Sequence, residues 1–327
     1  MKLRHIVLFL LVTGIALLTV AMPVSAQLNE IQQGNTVLLG EQGLDVTNAV
    51  GVGTAYLGWW SGSDYSTPPT RQIDLSGYIQ SNFNIVGDDF TASVASGSAT
   101  WWRLNYAGQT NPTDVAFVVT KPQSSLRIRD LHRNASSTIT DVTDKTAPIG
   151  DILDFSLNSS TLHYIFLRDT SANFNCKIVV KSPNGVTYSK LWNDTPFHTQ
   201  PQKDLINLKV NSTPWYWSSG NGTASNYNQS WDTAAKDPAT NSLIYSPGEY
   251  QVTIECNENN LGFVGTTRTI TLEEEKPVLT VNPSSLIRGN KFYTTVKGLP
   301  NTDYIIWIKD CVACPNGCCS DQMTGAC

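Results

Sequence analysis

Gly248-Glu249-Tyr250-Gln251-Val252-Thr253-Ile254-Glu255-Cys256 is the stretch whose reading decides the fold class. It opens after a Pro247-Gly248 turn signal. Side chains alternate across an extended chain with a period of two, so Tyr250, Val252, Ile254 and Cys256 share one face. The same pattern places Cys176, Ile178 and Val180 on one face of a second strand. Both thiols therefore point toward a core among apolar neighbours. A disulfide between facing sheets is the simple reading for an exported protein. It would close a loop of about 80 residues and contribute roughly 4 kcal/mol. Two buried free thiols are the alternative.

Working outward, helical periodicity is nearly absent, and short alternating segments lie between Gly, Pro, Asn and Asp clusters. Thr36–Leu39, Phe90–Val94, Asp114–Thr120, Ile152–Leu157 and Thr266–Leu272 read as further strands. The pattern predicts an all-β protein of tandem β-sandwich (Ig-like) domains. An internal repeat supports it. Leu126-Arg-Ile128, Gly150–Phe155 and Tyr164–Leu167 form one series. Leu279-Thr-Val281, Gly289–Tyr293 and Tyr304–Ile308 form another. The predicted organisation is an N-terminal β domain at 27–122, then an Ig-like domain at 123–275 with a long loop insertion. A partial Ig-like unit at 276–327, with three of its strands, would need a partner chain or further sequence to close.

Lys2 and Arg4 precede an apolar run from Ile6 to Val20, and Pro23-Val-Ser-Ala26 supplies a break followed by small residues. Residues 1–26 thus read as a cleaved secretory signal peptide. No second long apolar run follows, so no membrane span is expected in the mature chain. Cleavage leaves 20 Lys and Arg against 27 Asp and Glu, a balance of −7, which argues against nucleic acid as a partner. The charged fraction of 15% is below the usual ~25%. Asn, Ser, Thr and Gly replace the charges, giving a hydrated, weakly charged surface suited to the outside of a cell.

The chemistry-bearing motifs are few. Asn134, Asn158, Asn193, Asn211, Asn221 and Asn228 head N-x-[ST] sequons, and no other Asn of the chain does. Confinement to one window is the stronger signal, because an Asn-, Ser- and Thr-rich chain produces about five such triplets by chance. N-linked glycans are the expected partners. Cys311, Cys314, Cys318, Cys319 and Cys327 crowd the C-terminus. Disulfides, one of them interchain, suit the odd total of seven; a zinc site or an atypical terminus without a role are the alternatives. Trp215-Tyr216-Trp217 is a candidate sugar or subunit contact, against the plainer reading that the inward rings are core. The polar stretch from Asn211 to Ser246 is long for a structureless loop. Catalysis finds little support. His132, His163 and His198 are the histidines after the leader, and HExxH, GxSxG, EF-hand and phosphate-loop motifs are missing. Asp88-Asp89 is no calcium signature by itself. Neither metal nor cofactor is expected.

Ile31-Gln-Gln-Gly34-Asn-Thr-Val37-Leu-Leu-Gly40-Glu41-Gln-Gly43-Leu44-Asp45-Val46 resembles the opening of S-layer-type surface glycoproteins of methanogenic archaea. Trp59, Trp101-Trp102, the strand from Val115 into Leu126-Arg-Ile-Arg-Asp130, and Arg288-Gly289 followed by Tyr304-Ile-Ile-Trp307 also fit that pattern. The resemblance spans most of 31–310 and is most specific from Gly34 to Asp45. It implies a structural, glycosylated, non-catalytic cell-envelope protein, outside the cell, whose partners are copies of itself or other envelope proteins. The Cys-rich tail departs from the Thr-rich, anchoring end of that family. A secreted carbohydrate-binding or adhesive module built on Trp215, Tyr216 and Trp217 is the competing expectation. A hydrolase with converging loop carboxylates is the third.

Overall fold

A computed structural model describes residues 28–131, 139–171, 174–193, 202–218, 229–274, 277–282, 291–297 and 304–306. The expected leader and the Cys-rich tail lie outside the described residues. Contacts divide the chain into one unit ending at Glu274 and another beginning at Glu275. The first unit contains two apolar cores.

The first core belongs to one mixed sheet. β1 (Thr36–Leu38), β2 (Tyr56–Trp59), β3 (Arg71–Asp74), β4 (Ala99–Leu104) and β5 (Val115–Thr120) lie in the order β1-β5-β4-β2-β3. β1 runs parallel to β5 and the other pairs are antiparallel. α1 (Thr47–Val50) and α2 (Asp88–Ser93) add Ala49, Val50 and Phe90 to a core with Val37, Leu57, Ile73, Trp101 and Phe117. The segment Phe90–Val94, expected as a strand, is thus mostly helix. Phe90, Ser93 and Val94 are its buried members, an i, i+3, i+4 spacing that a helix puts on one side. Asp88 and Asp89 sit in the first turn, where the helix dipole favours negative charge. A five-residue stretch with apolar ends satisfies both periods, and packing against Trp101 decides between them.

The second core is a two-sheet sandwich. It uses β6 (Ser125–Asp130), β7 (Thr140–Asp141), β8 (Lys145–Pro148), β9 (Ile152–Asn158), β10 (Cys176–Lys181), β11 (Thr187–Tyr188), β12 (Lys190–Trp192), β13 (Gln202–Asp204), β14 (Trp215–Tyr216), β15 (Trp231–Asp232), β16 (Gly248–Cys256), β17 (Phe263–Val264) and β18 (Arg268–Glu273). One sheet runs β11-β10-β16-β18-β8, with β17 also on β16. The other runs β14-β9-β6-β7, with β15 also on β9, and β12 pairs β13 separately. Ile128, Phe155 and Leu157 meet Ile178, Val180, Val252, Ile254 and Ile270 in one cluster. The alternation read in Gly248–Cys256 is present: Tyr250, Val252, Ile254 and Cys256 are buried, and Glu249 and Gln251 are exposed.

Cys176 and Cys256 form a disulfide. It does not join facing sheets, as the sequence suggested. The two residues are opposite one another on adjacent antiparallel strands, β10 and β16. The bond staples one sheet at the edge of the core. Alternation placed both thiols inward correctly, but it carries no information on which strands are neighbours.

The repeat also divides. Tyr164–Leu167, expected as a third strand, is instead α3 (His163–Phe166) and the residue after it. Leu162, Ile165 and Phe166 are buried while Tyr164 and Leu167 are exposed, again the helical spacing. Ser160 Oγ accepts from Leu162 N at 3.2 Å near its start. In the second unit, β19 (Val278–Asn282) pairs antiparallel with β20 (Tyr293–Lys297). Tyr304, Ile305 and Ile306 are not in a strand.

The turn of α3 delivers Arg168, and Arg168 joins the two cores. Its Nη1 and Nη2 donate to Glu41 Oε1 and Oε2, both at 2.7 Å. The guanidinium also donates to Leu28 O at 3.1 Å and Thr36 O at 2.8 Å. Glu41 Oε2 accepts from Leu38 N at 2.6 Å, and Oε1 accepts from Asn259 Nδ2 at 2.8 Å. Both charged side chains are essentially removed from water, at 2% and 0% exposure. Leu28 and Leu38 pack into the sandwich core beside Leu261.

Replacing Glu41 with Ala leaves a buried guanidinium without its counter-charge. The expected loss is about 3–5 kcal/mol, read as a lower urea midpoint, whereas Glu41→Leu with Arg168→Met costs far less. Equal losses for the two variants would contradict this account. Removing the disulfide by Cys176→Ser with Cys256→Ser is expected to cost roughly 2–5 kcal/mol, and an unchanged midpoint would show that the staple contributes nothing.

Candidate functional site

β9 is buried along nearly its whole length, yet it carries Asp154 and Ser156 on the face opposite Phe155. Asp154 is fully buried. Arg129, its directly opposed neighbour on β6, forms an ion pair with Asp154 Oδ2. Ser218 N donates to Asp154 Oδ1 at 2.8 Å. The Arg129 guanidinium also lies over the Tyr216 ring at 4.2 Å. Lys203, at β13, donates to Ser218 O at 2.7 Å and lies 5.1 Å from the Trp217 ring centroid. Trp217 is anchored by Nε1 donating to Asp204 O at 2.9 Å and by N donating to Phe155 O at 2.9 Å. Two cation–ring contacts, Arg129 on Tyr216 and Lys203 by Trp217, therefore lie near the buried Asp154 carboxylate.

Beside this stack lies an open groove of about 460 Å³. Lys203, Ile206, Leu208, Lys209, Trp215 and Trp217 line it, together with Asp204 and Asn207. Asp204 is paired with Lys190 at 3.1 Å. The groove thus combines an apolar floor with Lys209 among its lining residues, while the Lys203 ammonium is turned to Ser218 O. Burial lowers the Lys203 ammonium to about 8, with the Asp154 charge opposing the shift.

The structure distributes the sequence-derived residues unevenly. Trp215 and Trp217 are 8% and 2% exposed, so the aromatic run is not an open stacking platform. Trp215 and Trp217 point inward with period two, and Tyr216 between them is half-buried beneath Arg129. Asn211 is exposed and Asn158, at the end of β9, is half-buried. Asn193 is 6% exposed, and its Oδ1 is enclosed without a hydrogen-bond partner. Attaching a glycan at Asn193 requires its side chain to leave this enclosed position. Asn134, Asn221 and Asn228 lie outside the described residues, as do His132 and His198. His163 Nδ1 is 2.7 Å from Ser160 O. Asp89 meets Arg71 at 3.5 Å. Among the described residues no group of three or more His, Cys, Asp or Glu could hold a metal, and no helix is long and apolar enough to cross a membrane.

The stretch from Asn211 to Ser246 is not an empty loop. Its described parts supply β14, β15 and the buried rings of Trp215, Trp217, Trp231 and Tyr245. Trp231 packs against Tyr245 and Tyr250 at 5.3 and 5.5 Å. Sequence reasoning missed Arg129, Asp154 and Lys203. Asp154 within an apolar strand was the available signal, since a lone acid in a buried run demands a partner.

The Lys203 shift has a definite sign. The folded value, about 8, lies below the ~10.4 of an unfolded lysine. Between these values the unfolded chain holds a proton that the folded chain has released, so this group adds stability as pH rises through that window. Tyr245 and Tyr250 act oppositely above about 10, because burial raises their hydroxyls and the folded chain retains those protons. Lys203→Met isolates the lysine. The stability difference, wild type minus variant, is expected to increase between pH 8 and pH 10 in urea denaturation; a flat difference contradicts the shift.

Comparison with known proteins adds a family. Among solved structures, similarity extends to one titled "BspA_C_WT", at 11% identity and a TM-score of 0.26, covering 73% of this chain and 96% of that one. It extends also to the C-terminal domain of the Streptococcus agalactiae AgI/II polypeptide BspA, at 10% identity and a TM-score of 0.24, covering 73% and 95%. These scores carry no functional argument. No curated protein matches the chain. A family model described as a domain of unknown function, DUF3821, matches residues 33–262, from just before β1 to just before β17 and across both cores, and the chain belongs to that family.

Proposed function

We propose that this chain is a structural protein of the cell exterior, an S-layer-type envelope glycoprotein that works through contacts between its β domains and performs no catalysis. One observation carries the reading. The charged side chains with most chemical potential, Glu41, Arg168 and Asp154, are withdrawn from water and engaged with one another, with Arg129 or with backbone. They stiffen the molecule instead of facing a substrate. The core disulfide fits an oxidising compartment outside the cytoplasm, in keeping with the leader read at residues 1–26. The resemblance of Gly34–Asp45 to archaeal surface glycoproteins supports the envelope as destination.

The competing reading, a carbohydrate-binding or adhesive module, draws on the groove beside Trp215 and Trp217. Burial of both rings weakens it, since sugar stacking requires an exposed ring face.

Electron microscopy of isolated envelopes is the decisive experiment: ordered arrays with this chain as the main component are expected, and a freely soluble monomer would overturn the proposal. Peptide mapping of the native protein is expected to find glycan on exposed Asn211 and none on buried Asn193. Occupancy of Asn193 would mean that this edge of the sandwich opens in the native state.

A further inference from the structure

Leu28, Asn29, Glu30 and Ile31 form a strap across the two cores of the first unit. Leu28 is 4% exposed and packs in the sandwich core, whereas Ile31 is fully buried in the core of the mixed sheet. Between them, Asn29 O accepts from Asp45 N at 2.9 Å, and Ile31 N donates to Asp45 O at 2.8 Å. Asn29 Nδ2 donates to Gly43 O at 3.1 Å, and Glu30 Oε1 accepts from Asn48 Nδ2 at 2.8 Å. Leu28 O is held by two donors, Arg168 Nη1 at 3.1 Å and Asn259 Nδ2 at 3.2 Å. The same two groups donate to Glu41 Oε1. The strap is thus part of the buried junction, and both donors lose an acceptor when it leaves.

The leader read from the sequence ends at Ala26, two residues before Leu28. At full extension two residues span about 7 Å. A peptidase needs an accessible, extended chain on both sides of the bond it cuts. Leu28 cannot sit in the sandwich core, with its carbonyl on Arg168, and lie extended in a peptidase cleft at the same time. Cutting beside a docked segment therefore proceeds through the open state, at a rate set by the fraction of open molecules. Opening exposes the Leu28 and Ile31 side chains to water and takes an acceptor from the Arg168 guanidinium. Both changes are unfavourable, so the open state is sparsely populated.

We propose that docking of the Leu28–Ile31 strap closes the leader cleavage site, so that hydrolysis of the Ala26–Gln27 bond must precede closure of the Glu41–Arg168 junction. This rests on the leader reading of residues 1–26. In the hydrolysis, water adds across the peptide bond, its hydroxyl to the Ala26 carbonyl carbon and its hydrogen to the Gln27 nitrogen. The junction thereby sets the order of leader removal and completion of the fold. A chain that folds first keeps its apolar leader until the strap opens.

The test uses the full precursor, residues 1–327, and a purified signal peptidase in detergent. One sample meets the peptidase during synthesis and another after folding, and mass spectrometry reads the new N-terminus. The newly made chain is expected to be cut after Ala26, and the folded precursor to be cut more slowly by about tenfold or more. Two variants separate docking from recognition of the site. A Gly-Ser spacer of about eight residues between Gln27 and Leu28 moves the bond some distance from the docked strap. Its folded precursor is expected to be cut as fast as the newly made chain. Asn259→Ala leaves the sequence around the bond untouched and removes one donor from Leu28 O. It is expected to speed cutting of the folded precursor, its fold being checked by circular dichroism. A folded wild-type precursor cut as fast as the spacer variant, or no faster cutting in folded Asn259→Ala, overturns the coupling and leaves the leader reading standing. A newly made chain that is not cut after Ala26 overturns the leader reading and the coupling with it.

Discussion

The ion pair between Glu41 and Arg168 is the constraint on which the arrangement of the first unit depends. Two opposite charges removed from water are tolerable only with close geometry and every oxygen engaged. Here the fork is bidentate, and Leu38 N and Asn259 Nδ2 complete the carboxylate. Three distant parts of the chain must be in register for this: the turn after β1, the end of α3, and the turn before β17. The fragment most specific to the resemblance, Gly34–Asp45, contains Glu41 at this junction. Its value is architectural, since it locks the mixed sheet to the sandwich.

A second buried charge, Asp154, plays a comparable part inside the sandwich. β9 is covered on both faces, and its carboxylate is met by Arg129 from β6 and Ser218 N from beyond β14. The Cys176–Cys256 bond fixes β10 against β16 on the other sheet. Each device ties together segments far apart in sequence, and each makes the body more rigid. A molecule whose polar interior is committed in this way has its surface left for function.

Much of the β architecture was legible because alternation is a local property. Gly248–Cys256 and Ile152–Leu157 carry enough period-two signal to stand alone, and Asp114–Thr120 reads as a strand from its short, β-branched apolar run. Phe90–Val94 and Tyr164–Leu167 do not, because in so few residues the spacings of a strand and of a helical turn overlap. Their environment, Trp101 and Phe117 in one case and Phe174 in the other, selects the helix. The Trp215-Tyr216-Trp217 run shows the same limit for the site. Its composition suited a sugar platform, and only the packing of Phe155 and Asp204 against Trp217 revealed a core element.

The sequence by itself determined the all-β character, the inward direction of both core cysteines, and the sequons with their confinement to one window. These follow from residue type and short-range periodicity. The tertiary structure alone decided that Cys176 and Cys256 are neighbours in one sheet, that Asn193 is enclosed, and that Glu41 finds Arg168. Pairing between strands and the burial of a polar group depend on contacts across scores of residues, and no local pattern specifies which partner lies opposite.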